Sequence, residues 1–286
     1  MRIAITGAAG LFGHGLVKVF ERRHTVYPLT RAEIDVTRGD QVATAFARIR
    51  PDVVIHSAAI PDLDLCEAEP ARAYLVNVHG TRHVVEAAGV AGAAVAYIST
   101  DAVFDGQKRT PYVESDSTNP PTVYGRTKLR GEQITRTFAT HWIFRVSLLF
   151  GPGKTNFIDK ALGRIRADED VVVASDQTST ATYTLDAAAT IMQVIEARRY
   201  GLYHLSNSGA CGRLELARRA AELAGLNPAR VIGKPSAEMG RRAERLKYSV
   251  MEMEALRRAG FPLPRPWTEA LAEYCCSAGV LTGVPR

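Results

Sequence analysis

The chain has little of what would staple, anchor or disorder it. Its 286 residues include only four cysteines, Cys66, Cys211, Cys275 and Cys276, whose spacing offers neither a zinc pattern nor a disulfide framework. All four read as free thiols, which suits a reducing compartment and predicts a cytoplasmic protein. No stretch of about 18 consecutive apolar residues is present to cross a bilayer, so no membrane partner is expected. Repeats, low-complexity tracts and heptads are absent as well. Charge of one sign is scarce: 36 Lys and Arg against 30 Asp and Glu leave a formal net charge of +6, with the basic residues scattered among acids. Pairs such as Arg241-Arg242 and Arg257-Arg258 read as solvated helix faces, so nucleic acid is not an expected partner. The histidines His56, His79, His83, His141 and His204 are dispersed, and no metal site is expected from them.

What is present suits a large core. Hydrophobic residues make up 46% of the chain, and the N-terminus opens directly on a short β-prone run, Arg2 to Thr6. Gly7-Ala8-Ala9-Gly10-Leu11-Phe12-Gly13 follows, and apolar residues at Leu16, Val17, Val19 and Phe20 then mark a helix. Strand, glycine turn, helix is the arrangement that cradles a diphosphate on free helix N–H groups, although the spacing of Gly7, Gly10 and Gly13 departs from the usual G-x-G-x-x-G. Further strands are predicted at 25–29, 52–56, 94–99 and 142–150, with helices at 40–49 and 71–88 between them. This alternation predicts an α/β fold built on a Rossmann-type doubly wound parallel sheet. Gly7, Thr30, Ala58 and Thr100 would line its ligand-binding edge. Strand two closes on Leu29-Thr30-Arg31 where an acid would grip a ribose 2′-hydroxyl; Thr30 and Arg31 suit a 2′-phosphate, so NADPH is the expected cofactor, with NADH left open.

Tyr124 and Lys128 stand four residues apart in a predicted helix over 122–134, and so share one face. A free phenol titrates near 10, and a neighbouring ammonium is expected to lower that value and ready the phenol for proton transfer. Thr100, at the end of strand four, would donate to a carbonyl oxygen. Together these three residues read as the catalytic set of a hydride-transfer enzyme.

At this point the chain resembles the dTDP-4-dehydrorhamnose reductase family of the extended short-chain dehydrogenase/reductase superfamily, over nearly its whole length. The resemblance is carried by Gly7 to Gly13, Asp35-Val36-Thr37, Ala58-Ala59 with Asp64 and Glu67, Val76-Asn77, the string Ser99 to Gly106, and Tyr124 to Glu132. It implies Thr100, Tyr124 and Lys128 as the triad. It implies Gly10, Leu11, Phe12, Asp35, Val36, Ala58, Ala59 and Lys128 as cofactor contacts, and Asp64, Thr100, Asp101 and Tyr124 as residues near a nucleotide-linked 4-ketosugar. Magnesium at a subunit contact and a homodimer are further implications. Leu148 stands where the family commonly has tryptophan, which removes an aromatic platform near the sugar.

The expected organisation is a nucleotide-binding domain over 1–150, with segments about 181–206 returning to it, and an interleaved smaller C-terminal substrate-binding lobe over 151–286. Arg145 and Arg245 are candidates for a basic pocket around the substrate anion. Two other readings stay open by resemblance: a sugar-nucleotide epimerase or dehydratase with the same triad, and a non-enzymatic subunit similar to the β-subunit of methionine adenosyltransferase.

Overall fold

Alternation along the first strands sets the architecture. Ile3 and Ile5 enter one hydrophobic cluster and Ala4 another; Val53 and Ile55 likewise oppose Val54, and Ala96 and Ile98 oppose Val95. Strands buried on both faces need helices on both sides, which is the reason these runs are almost continuously apolar. The computed structural model describes residues 1–277.

The chain runs β1 (Arg2–Thr6), α1 (Leu11–Phe20), β2 (Thr25–Leu29), α2 (Gly39–Ile49) and β3 (Val53–His56). Next come α3 (Leu63–Ala68), α4 (Pro70–Tyr74), α5 (Gly80–Val90), β4 (Ala94–Thr100), α6 (Val123–Arg136) and β5 (His141–Val146). β6 (Leu149–Phe150), α7 (Phe157–Arg166), β7 (Val171–Ala174), β8 (Thr178–Thr180) and β9 (Thr182–Tyr183) lead to α8 (Thr184–Glu196) and β10 (Gly201–His204). The described chain finishes with β11 (Ala210–Cys211), α9 (Arg213–Leu223), β12 (Val231–Lys234), β13 (Tyr248–Ser249), α10 (Glu254–Arg258) and α11 (Trp267–Ser277).

Six strands form one parallel sheet in the order β2-β1-β3-β4-β5-β10. The winding direction reverses between β1 and β3, so the crevice for a ligand opens beyond the carboxyl ends of those two strands. α1 and α8 cover one face and α2 and α5 the other. A separate apolar cluster gathers Ile158, Leu162, Leu216, Ala220, Leu271 and Tyr274 from α7, α9 and α11. Small sheets, β11-β8-β13 and β12-β7, flank it. No helix among the described residues is long and apolar enough to cross a membrane.

Two elements differ from the sequence expectation. The helix read over 71–88 is broken into α4, a π-helical turn at Leu75–His79, and α5. Asn77 sits in that turn, and its side-chain amide is committed to Ile60 and Thr127, which favours the wider turn that aims it there. The strand read over 142–150 stops at Val146, because Leu148 adopts a left-handed backbone (φ 31°) and Leu149–Phe150 pairs instead with Thr182–Tyr183. That pairing also keeps the start of the returning segment extended, and α8 begins at Thr184.

Candidate active site

The glycine turn is built by close approach. Gly7 has φ +71°, and a β-carbon there would lie 2.6 Å from the Ala58 nitrogen; one on Gly13 would lie 2.1 Å from the Gly7 carbonyl oxygen. Only glycine permits both contacts, and they bring the start of α1 onto the ends of β1 and β3. Gly10 is the N-cap of α1 without any side-chain cap, and the first turn holds no acid. Leu11 and Phe12 thus begin a helix whose free N–H groups suit a diphosphate, so the residues present fit the phosphate bridge of a dinucleotide.

At the end of β2 the arrangement differs from the sequence expectation. The Thr30 backbone N–H donates to Glu33 Oε2 at 2.8 Å and its hydroxyl donates to the same oxygen. Thr30 is therefore occupied by an acid the sequence reading did not weigh. Arg31 is 85% exposed and lies 3.9 Å from Asp35, whose carboxylate accepts from the Thr37 backbone and hydroxyl. Val36 is buried, and its carbonyl accepts from His83 Nδ1 at 2.9 Å. Ala58 and Ala59 lie just past the end of β3, after Ser57. The next residue, Ile60, is held at both its N–H and its carbonyl by Asn77.

The reacting groups come from β4 and α6. Thr122 caps α6 by accepting from the Gly125 N–H at 3.1 Å, and the helix then presents Tyr124 and Lys128 on one side. Thr100 and Tyr124 line a cavity of about 420 Å³ with Leu11, Ser147, Arg213 and Arg245, a volume within the range of small-ligand sites. Thr100 lies within hydrogen-bonding reach of the Tyr124 phenol. Its own proton goes to Asp101 Oδ1 at 3.0 Å, whereas the sequence reading aimed it at a substrate.

The expected lowering of the Tyr124 pKa is corrected by its surroundings. Burial pushes the phenol well above its ordinary value, and the Asp101 carboxylate adds to the rise. Lys128 Nζ sits 4.1 Å from the centroid of the Tyr97 ring, and burial brings its pKa down to about 7 against the pull of Glu132. The phenol is thus firmly protonated at neutral pH, while the lysine is the group poised to titrate there.

Asp101 is less open to a ligand than the resemblance implied. Oδ1 accepts from Thr100, and Oδ2 accepts from Ser147 Oγ at 2.7 Å and Ser249 Oγ at 2.6 Å. Burial raises its pKa against these three hydroxyls. Asp64 lies behind Arg245: Nη2 donates to Oδ2 at 2.7 Å, and the Ala243 N–H donates to Oδ1 at 2.8 Å. Its guanidinium partner, rather than the carboxylate, faces the cavity. Arg145 is not a pocket residue. It is buried in a two-bond pair with Glu132, both contacts at 2.8 Å, and Ser99 completes that carboxylate. His56 is buried and held neutral, its pKa pushed to about 3 by burial and then by Lys128. Thr81 donates to the Asn77 carbonyl and so accepts from His56 Nε2. No group of three or more His, Cys, Asp or Glu able to hold a metal occurs among the described residues.

Sequence reasoning missed Ser249, Arg213 and Phe157. The sequence reading gave none of the three a role in the site, because chain separation hides their partners: Ser249 reaches Asp101 across 148 positions.

A glycine turn at the switch point of a doubly wound sheet, beside a phenol and hydroxyl at the ends of its strands, defines an NAD(P)H-dependent oxidoreductase of the short-chain dehydrogenase/reductase type. The family model described as RmlD substrate binding domain matches residues 1–278, and the chain belongs to that family. It is 38% identical to the dTDP-4-dehydrorhamnose reductase of Streptomyces griseus over 100% of this chain and 98% of that one. It is 35% identical to the spore coat polysaccharide biosynthesis protein SpsK of Bacillus subtilis, with 96% of each chain covered. Among solved structures, a dTDP-4-dehydrorhamnose reductase from Bacillus anthracis in complex with NADP superposes with a TM-score of 0.93 at 33% identity, over 96% of this chain and 99% of that one.

Proposed function

We propose that the protein reduces the C4 ketone of a nucleotide-linked 6-deoxy-4-ketohexose to an alcohol with NADPH. Bound NADPH supplies the hydride that reaches the carbonyl carbon. The Tyr124 hydroxyl gives its proton to the carbonyl oxygen as the alcohol forms, leaves a phenolate, and is reprotonated from solvent. Thr100 holds the phenol in place, and the Lys128 ammonium stabilises the negative charge that the phenol acquires. The observation that carries this reading is the pairing of the Tyr124 phenol with Thr100 in a cavity that also includes Leu11 of the glycine turn. Burial keeps that phenol protonated, as a proton donor must be. The names of the relatives supply the substrate class, and the NADP complex of the Bacillus anthracis protein supports the choice of cofactor.

The test is an absorbance assay of NADPH oxidation against a panel of nucleotide-linked 4-keto-6-deoxyhexoses. One NADPH consumed per ketone reduced is expected; turnover without net consumption would assign the protein to the epimerases and dehydratases instead. Tyr124→Phe should lose about 10²- to 10⁴-fold in kcat with NADP affinity nearly unchanged. Full turnover by that variant would defeat the assignment.

A further inference from the structure

The cavity that Tyr124 lines carries more positive charge than its own carboxylates absorb. Arg213, the first residue of α9, lines the cavity with Arg245. Its guanidinium lies 5.1 Å from the centroid of the Phe157 ring and makes no ion pair with a carboxylate among the described residues. Arg245 is the partner of Asp64. Arg241, on the same segment as Arg245, adds a third cation close enough to act on Arg213. Facing these three guanidiniums are two carboxylates. Asp64 is already engaged by Arg245 and the Ala243 N–H, and Asp101 by three hydroxyls.

We infer that Arg213, stacked on Phe157 and flanked by Arg245, forms the subsite for the diphosphate of the nucleotide-linked substrate. The inference rests on the function proposed above and deepens it. Guanidiniums held close together in a partly dry wall repel one another, and an incoming dianion relieves that repulsion. Burial lowers the Arg213 pKa to about 10, helped by Arg241 and Arg245 and opposed by Asp101. The side chain therefore stays charged at neutral pH without a carboxylate partner of its own. A guanidinium also matches the paired oxygens of a phosphate, and the ring beneath fixes its plane.

The experiment titrates the full-length protein with dTDP, UDP, dTMP and thymidine, and measures NADPH oxidation with the ketosugar accepted in the assay above. A nucleoside diphosphate should bind about tenfold or more tighter than the monophosphate, with the gap narrowing as salt rises. Arg213→Leu should close that gap and raise the KM for the ketosugar by about ten- to a hundredfold, with a smaller change in kcat. Arg213→Lys should recover part of the affinity, and unchanged NADP binding reports that both variants fold. Intact turnover with an unchanged KM in Arg213→Leu would remove the subsite and leave the reductase reading standing. Absence of turnover with every ketosugar in the unaltered protein would remove both.

Discussion

At the scale of single residues, Lys128 and Asp101 each make a measurable claim. Lys128 titrates near 7 in its buried setting, far below the 10.5 of a free lysine. Its positive charge is present below that pH and is lost above it. kcat/KM, which reports the free enzyme, should therefore fall as pH rises through about 7, and Lys128→Arg should move that limb upward, because a guanidinium keeps its proton. Stability should move the other way. Between about 7 and 10.5 the unfolded chain binds the proton that the folded chain has released, so folding gains stability with rising pH across that window. Denaturant midpoints of Lys128→Met should lack this rise. Asp101 makes the second claim. Its carboxylate holds the hydroxyls of Thr100, Ser147 and Ser249, and Asn in its place turns one acceptor into a donor. Asp101→Asn should lower kcat by about tenfold through a misplaced Thr100, with NADP affinity retained; an unchanged kcat would make the cluster purely structural. That Tyr124 and Lys128 share a helix face and that Thr100 ends a strand was legible in the sequence, because both are local features. The proton energetics of these residues were not. They depend on burial, and on Asp101 standing beside the phenol while Lys128 turns to Tyr97.

At the scale of elements, the glycine turn was legible because its constraint is local. Gly7 takes φ +71° and Gly13 packs onto the Gly7 carbonyl within seven positions, which a sequence carries directly, although the approach of Gly7 to Ala58 is not local. Adding one methyl group should therefore have opposite effects at two helical glycines. Gly13→Ala drives a carbon against the Gly7 carbonyl and should destabilise the fold by about 1–3 kcal/mol, with weakened NADP binding. In α7, Gly163 has nothing within 4 Å of the position its β-carbon would take, so Gly163→Ala should stabilise by about 0.5–1 kcal/mol. Thermal melts with and without NADP check both. The π-helical turn at Leu75–His79 and the break at Leu148 were not legible. Each is fixed by partners distant in sequence: Ile60 and Thr127 grip Asn77, and Thr182–Tyr183 pairs with Leu149–Phe150. Apolar periodicity describes what faces a core, and it carries nothing about where a side-chain amide must reach.

At the scale of the whole molecule, the two hydrophobic bodies are laced together more tightly than a break near Gly151 suggested. α8 and β10 return to the first sheet, and Met253 and Leu256, far down the chain, are buried in the same cluster as Ile3 and Trp142. Glu114 accepts from the backbone N–H groups of His204 and Ala255, and so ties a loop after β4 to both returning segments. Asp186, in the first turn of α8, takes two contacts from Arg265, at 2.9 and 3.1 Å, and one from Asn207. A C-terminal lobe whose later segments supply Met253 and Leu256 to the core of the six-stranded sheet has no separate unfolding step available to it, because its loss would open that core as well. Calorimetry should show one transition, with the calorimetric and van't Hoff enthalpies in agreement. Asp186→Ala leaves Arg265 and Asn207 short of a partner in a half-buried place and should lower the stability by about 1–3 kcal/mol while keeping the transition single. If the lobe instead melted first in that variant, the shared core would be too weak to couple the two bodies. Ser249 and Arg245 would then be free to leave Asp101 and Asp64 as the lobe opened, so the same scan also tests whether the cavity wall is held by the fold or assembled only when substrate arrives.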